Sequence, residues 1–300
     1  MKHLLKLSDW TGEEIIATLD LADKLKAEQK QGIPHPALKG KSIALVFSKA
    51  STRTRCSFDV GVYQLGAHSV TLSSAESQIG RGEPIEDTAR VLGRYFDGIM
   101  IRTYKQSDVE ELAKYSGVPV INGLTDDAHP CQVLADLQTI REYKGKLAGL
   151  KMAYIGDGNN MANSLIAGAL LTGMQISVAC PVGYQPAPAV LEYAAKFSGF
   201  TLTDDPKTAA AGADVLITDV WASMGQEQEA EARKKAFAGY QINNDLLALA
   251  NPGCMVQHCL PAHRGEEIAA DVLEAHANEI FDEAENRLHA QKAVMVKLMG

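Results

Sequence analysis

The stretch Phe47 to Phe58, FSKASTRTRCSF, sets Arg53 and Arg55 among Ser51, Thr52 and Thr54 directly behind an apolar run. The N-terminus of a helix leaves backbone N–H groups unpaired and carries about half a unit of positive charge. Hydroxyls add donors, and a guanidinium fork matches phosphate oxygens. Anion binding is the chemistry these residues could do together, although a Ser or Thr helix cap followed by solvated arginines uses the same residues. In DDAHPCQV, His129 and Gln132 share a face at a helix start, so the imidazole can donate to a carbonyl oxygen while the amide accepts from an NH2 group. Arg102 closes the apolar run GIMIR, and strand C-termini are where open α/β sheets take ligands. A surface arginine and a helix-start histidine are the plainer readings of these two. Asp219 follows VLIT as a carboxylate or a turn former. Cys259 stands before the abrupt Leu260-Pro261 turn, projected into a cleft or buried and inert.

The elements that must hold these residues alternate. Ser8 serves as a cap for an amphipathic helix over Trp10 to Gln29, with Ile15, Ile16, Leu19, Ala22 and Leu25 at helical intervals. SIALVF reads as a buried strand, and STRTRCSFDVGVYQLG as a helix ending at Gly66. Strand and helix patterns then recur through HSVTLS, PIEDTARVLGRY, GIMIR, the helix near Asp108 to Tyr115, PVIN and a long helix from Pro130 to about Tyr143. At KGKLAGLK the alternation breaks, and it restarts with MAYIGDG. The expectation is an α/β chain of two doubly wound parallel-sheet domains, residues 1–140 and 150–283, with the active site in the cleft between them and a C-terminal helix, 284–300, returning to the first domain. The charged stretch Gly225 to Lys235 reads as a mobile loop or solvated helix, and Arg287 as the start of the final helix.

Composition narrows the classes. Three hundred residues suit two domains of about 150 residues each. Lys and Arg total 29 against 37 Asp and Glu, for a formal net charge of -8 and no long basic block, which argues against nucleic acid as partner. No window approaches the ~20 apolar residues of a membrane span, and no signal-peptide run opens the chain, so a cytoplasmic protein with reduced thiols is expected. Cys254, His258, Cys259 and His263 make a poor tetrahedral pattern, so no metal is expected there. Gly156 and Gly158 in YIGDGNNMANS suggest a dinucleotide loop, but Met161 stands where the third glycine of that fingerprint belongs. Asn159 reads as the helix cap.

F-x-K-x-S-T-R-T, as Phe47, Lys49, Ser51, Thr52, Arg53 and Thr54, resembles the carbamoyl-phosphate signature of the aspartate and ornithine carbamoyltransferases. SQIGRGEPIEDTARVL, HPCQVLADLQT, GDGNNMANS, DVWASMGQE, HCLPAHRG and EAENRLHAQKAVMV follow in that family's order, and the ASMG stretch is similar to its ornithine branch. The resemblance implies carbamoyl transfer from carbamoyl phosphate to the δ-amine of L-ornithine, giving L-citrulline and phosphate in arginine metabolism, with no metal or redox cofactor. It implies that Ser51, Thr52, Arg53 and Thr54 hold the phosphate, that Arg102, Arg287, Gln78, Cys259 and Leu260 also bind carbamoyl phosphate, and that His129 and Gln132 read its carbamoyl end, with Cys131 where Thr is usual. It places Asn160, Asp219, Ser223 and Met224 on ornithine, Cys259 and Leu260 beside the reacting amine, and Cys259, Arg102, His129 and Asp219 in catalysis. Leu260-Pro261 is cis in such enzymes, and Gln78 reaches a neighbouring subunit's site, which implies a homotrimer. The rival expectations are transfer to another amine, a binding protein without catalysis, and a nicotinamide dehydrogenase.

Overall fold

The computed structural model describes residues 1–73, 82–223 and 227–300. Gln78 and Met224 lie outside them. The chain divides into two compact units, Met1–Gln138 with Asn286–Gly300, and Thr139–Glu285.

The first unit begins with α1 (Gly12–Lys30). Its cap is Thr11 and not Ser8: Thr11 Oγ1 accepts from the Glu14 N–H at 3.2 Å and Glu14 Oε2 accepts from the Thr11 N–H at 2.9 Å. That reciprocal pair satisfies two backbone-end groups at once, which outweighs the more distant serine. β1 (Ser42–Phe47), β2 (His68–Ser73), β3 (Gly98–Arg102) and β4 (Val120–Leu124) form a parallel sheet in the order β2-β1-β3-β4. The connections run through α2 (Thr52–Gln64), α3 (Ile85–Tyr95) and α4 (Gln106–Tyr115), and α5 (Pro130–Lys144) follows β4. Every residue of β3 and β4 is buried, as continuous apolar runs covered on both faces must be. Ala44, Val46, Ile99 and Ile101 pack against Leu92, Val109 and Leu112 of the helices, each large aliphatic contributing ~1.5–3 kcal/mol relative to exposure.

In the second unit β5 (Lys151–Ile155), β6 (Gln175–Ala179), β7 (Phe200–Thr203), β8 (Val215–Thr218) and β9 (Met255–His258) make a parallel sheet ordered β7-β6-β5-β8-β9. α6 (Asn160–Leu171), α7 (Pro188–Ala194), α8 (Pro206–Ala210), α9 (Ala230–Ala236), α10 (Asn244–Leu247) and α11 (Ala270–Ala275) accompany it. Its core joins Ile155, Leu216 and Val256 to Trp221, Phe237 and Ile242. The two parallel α/β sheets are as expected. The final helix, α12, runs Ala277–Met299, so Arg287 sits well inside it and not at its start. Residues from Asn286 onward group with the first unit, where Ala293 packs against Ala22 and Leu25 of α1.

The GDG stretch shows why glycine is required there. Gly156 has φ 150°, and a Cβ on Gly158 would lie 2.2 Å from the carbonyl carbon of Gln185. Met161 is buried in α6, a packing residue where the dinucleotide fingerprint would put its third glycine.

Candidate active site

In the first unit, β1 and β3 are adjacent at the point where the strand order reverses, so the loops leaving their C-terminal ends flank a switch point. Ser51 caps α2, its Oγ accepting from the Thr54 N–H at 3.1 Å. The same STRT segment leaves Thr52 and Arg53 exposed, as is Arg55 just after it, while Thr54 is buried. Capping and anion binding are therefore compatible uses of one segment.

Thr54 is the meeting point of two arginines. Arg287 donates from Nη2 to Thr54 Oγ1 at 3.0 Å and from Nη1 to Gln132 Oε1 at 2.6 Å. Arg102 reaches the same hydroxyl oxygen from Nη1 at 3.5 Å. Gln132 in turn donates to Asp136 Oδ1 at 2.8 Å, one helical turn on in α5. Residues 54, 102, 132 and 287, remote in sequence, are thus bound into one buried network, with both guanidiniums under a tenth exposed. A bland surface role for Arg102 is excluded. Lys49, also buried, pairs with Asp126 at 2.9 Å and lies over the Tyr104 ring at 5.0 Å.

His129 is buried beside this cationic group. Burial first, then Arg287, Arg102, Lys49 and Arg53, pull its pKa well below the ordinary 6.5. At neutral pH the ring is uncharged, with one N–H to give and one nitrogen to accept. A chain of net charge -8 has gathered positive charge in one place and kept its histidine neutral there. Phosphate fits the cations, and a carbonyl oxygen fits the imidazole N–H.

In the second unit the order reverses between β5 and β8, and their C-terminal loops again carry the polar residues. Asp219, just past β8, is buried. Its Oδ1 accepts from the Cys259 thiol at 3.1 Å and from the Val220 N–H at 2.8 Å, while its Oδ2 accepts from Asn159 Nδ2 at 2.8 Å. Cys259 is half-buried, in keeping with a reactive side chain more than with an inert core thiol. Asn160 is buried at the first position of α6, and Ser223 is half-buried a few residues past Asp219. Carboxylate, thiol and amides form a surface suited to an amine.

The turn after β9 is braced from below. The Leu260 N–H donates to His258 Nδ1 at 2.9 Å, so the imidazole proton is on Nε2, which donates to the buried Glu267 Oε1 at 3.0 Å. Leu260 has φ 57°, a left-handed conformation unusual for leucine, and Leu260-Pro261 is cis as the resemblance implied. Glu267 also accepts from the His263 N–H. Among the described residues, His263, Glu266 and Glu267 bring ligand-type atoms within 4.8 Å of one another. Lys234 already pairs with Glu266 at 3.0 Å and the His258 imidazole hydrogen-bonds Glu267 at 3.0 Å, so both carboxylates already have partners.

The described part of the charged stretch, which includes α9, is not simply solvated. Arg233 is buried, donating from Nη1 to Asp157 Oδ2 at 2.8 Å and to the Trp221 carbonyl at 3.0 Å, with its guanidinium 5.1 Å from the centre of the Tyr184 ring. A partner carboxylate and an aromatic face let an arginine be buried where an unpaired one would not be. Asp157 is raised to about 6, chiefly by burial, against the opposing pull of Arg233. Sequence reasoning missed this pair because Glu229 and Arg233, four apart, look like an exposed helix pair. It also missed that Asn159 contacts Asp219 as well as capping α6.

Residues 2–142 match the family model described as aspartate/ornithine carbamoyltransferase, carbamoyl-P binding domain, and residues 148–298 match the Asp/Orn binding domain of the same family. A Geobacter metallireducens protein named ornithine carbamoyltransferase is 59% identical over 300 residues, covering 99% of each chain. The solved ornithine carbamoyltransferase from Pyrococcus furiosus superposes with a TM-score of 0.95 at 52% identity, over 100% of this chain and 97% of that one. The anabolic ornithine carbamoyltransferase from Campylobacter jejuni gives 0.93 at 42% identity, over 99% of both chains.

Proposed function

The chain belongs to the aspartate/ornithine carbamoyltransferase family, and from that premise we infer that it is an ornithine carbamoyltransferase, converting carbamoyl phosphate and L-ornithine to L-citrulline and phosphate. The neutral δ-amine attacks the carbamoyl carbon, the C–O bond to phosphate breaks, and the amine nitrogen loses a proton. Such a reaction needs the phosphate held, the carbonyl polarised and the amine oriented without its proton.

Ser51, Thr52, Arg53, Thr54, Arg102 and Arg287 take the phosphate. The network joining Thr54, Arg102, Gln132 and Arg287 supports that assignment, because the side chains hold one another in place and preorganised donors need little rearrangement to meet developing charge. Neutral His129 donates to the carbamoyl oxygen, and Gln132 accepts from the carbamoyl NH2. Asn160, Asp219, Ser223 and Met224 hold the amino-acid end of ornithine. Cys259 and the Leu260 carbonyl lie beside the δ-amine.

The observation that carries the choice of amine is the Asp219 carboxylate 3.1 Å from the Cys259 thiol. An anion at that place favours a cationic amino acid, whereas the dicarboxylate aspartate would call for cations. Gln78 enters the site of a neighbouring subunit, and the chain works as a homotrimer in arginine biosynthesis in the cytoplasm. No helix among the described residues is long and apolar enough to cross a membrane.

The test is a panel of amines, namely ornithine, aspartate, putrescine and N-acetylornithine, each incubated with carbamoyl phosphate and the purified protein. Product from ornithine alone is expected. Carbamoylation of another amine in preference to ornithine overturns the roles of Asp219, Ser223 and Met224.

A further inference from the structure

Asp219 is held from both sides, and the side away from Cys259 belongs to Asn159. The amide of Asn159 has no freedom about which atom it shows to the carboxylate. Its Oδ1 accepts from the Met161 N–H at 2.9 Å and the Ala162 N–H at 3.3 Å. Those are donors, so the oxygen must face α6 and the NH2 must face Asp219, which it meets at 2.8 Å. The helix cap thus sets the orientation of a hydrogen bond to a carboxylate.

The consequence concerns Oδ1. A carboxylate with Oδ2 fixed by Asn159 and Oδ1 fixed by the Val220 N–H cannot rotate away from the thiol at 3.1 Å. Tyr154, wholly buried in β5, donates its hydroxyl to the Asp157 carbonyl at 2.8 Å, so the loop carrying Asn159 is itself tied to the sheet. The chain of constraint runs from β5 through the loop to the amide, then to the carboxylate after β8 and the thiol after β9. We propose that Asn159 is a positioning residue for the transfer step, acting by aiming the Asp219 carboxylate at Cys259 and the incoming amine. This rests on the reading of Asp219 and Cys259 given above.

Two substitutions separate aiming from capping, since Ser and Asp cap helices about as well as Asn. Asn159→Ser keeps a capping oxygen but is too short to reach Asp219. Asn159→Asp keeps shape and cap but turns an oxygen toward Asp219 where a donor stood, setting two carboxylates together. Asn159→Ser is expected to keep the wild-type melting temperature within a few degrees, Asn159→Asp to lose some of it to the paired carboxylates, and both to keep the wild-type Kd for carbamoyl phosphate. The loss should fall mainly on kcat with ornithine rather than on KM, by about ten- to a hundredfold as for a lost charge-assisted hydrogen bond, and more in Asn159→Asp than in Asn159→Ser.

Asp219→Asn is measured beside them. Wild-type turnover in Asp219→Asn overturns the reading of Asp219 and this inference with it. Impaired Asp219→Asn together with wild-type kcat in Asn159→Ser and Asn159→Asp overturns the inference alone and leaves Asn159 as a cap. A fall in turnover matched by a fall in melting temperature and in carbamoyl phosphate binding also overturns it, because that is the mark of a structural role.

Discussion

At the scale of single residues, the phosphate site turns on Arg287 and what it touches. Its guanidinium satisfies Gln132 Oε1 and Thr54 Oγ1 in a buried setting. Replacing it by Met removes a phosphate donor and strands the Gln132 acceptor. Arg287→Met is expected to raise the Kd for carbamoyl phosphate by about tenfold or more, from a charge-assisted bond worth ~1.5–3 kcal/mol, and to lower the melting temperature as well. Isothermal titration with carbamoyl phosphate reads the first and calorimetric melting the second. Unchanged affinity would remove Arg287 from the phosphate site. Much of this was visible in the chain: STRT, HPCQ and HCLP each announced residue types fit for phosphate, carbonyl and amine. Their partners were not visible. Nothing in EAENRLH places residue 287 against residue 54, because that pairing is made by tertiary folding across most of the chain length. The double use of Asn159 escaped for a different reason. A cap accounts for the asparagine fully, and the second bond goes to Asp219, just past a strand and some sixty positions on.

At the scale of elements, the buried strands were the most legible part, since SIALVF and GIMIR have few alternatives in a chain with α/β alternation. The beginning of α12 was not legible. His276 alone separates it from α11, and no Gly or Pro punctuates the break. The same helix carries Lys292, which has no exposed surface, donates to Gln64 Oε1 at 2.8 Å and lies 3.1 Å from His35 Nε2. Burial lowers its ammonium from 10.5 to about 8. The unfolded chain therefore holds more protons than the folded one between those two values, and stability contributed by this group rises with pH across the window. Lys292→Met removes the linkage. The melting temperature of the variant minus that of the wild type is expected to shrink steadily as pH goes from 8 to 10.5. A difference that stays constant over the range would mean Lys292 does not titrate there.

At the scale of the whole molecule, a net charge of -8 conceals a site of concentrated positive charge. Composition argued against a nucleic-acid partner but could not show where the cations would be gathered. The proposed trimer has its own test. If each site takes Arg53 from one chain and Gln78 from a neighbour, Arg53→Ala and Gln78→Ala proteins are each nearly inactive, and reassembling them together after dissociation restores about a quarter of wild-type activity, since a cyclic oligomer mixes both parents at random. A mixture as inactive as its parents would place both residues in one chain's own site. The measurement that bears most directly on the central claim is simpler. The purified wild-type protein is supplied with carbamoyl phosphate and L-ornithine, and citrulline and phosphate are quantified in the same samples over time. The two are expected to appear together in equal amounts, and neither to appear at that rate when ornithine is left out. Phosphate released without citrulline, or no turnover of either substrate, would contradict that claim.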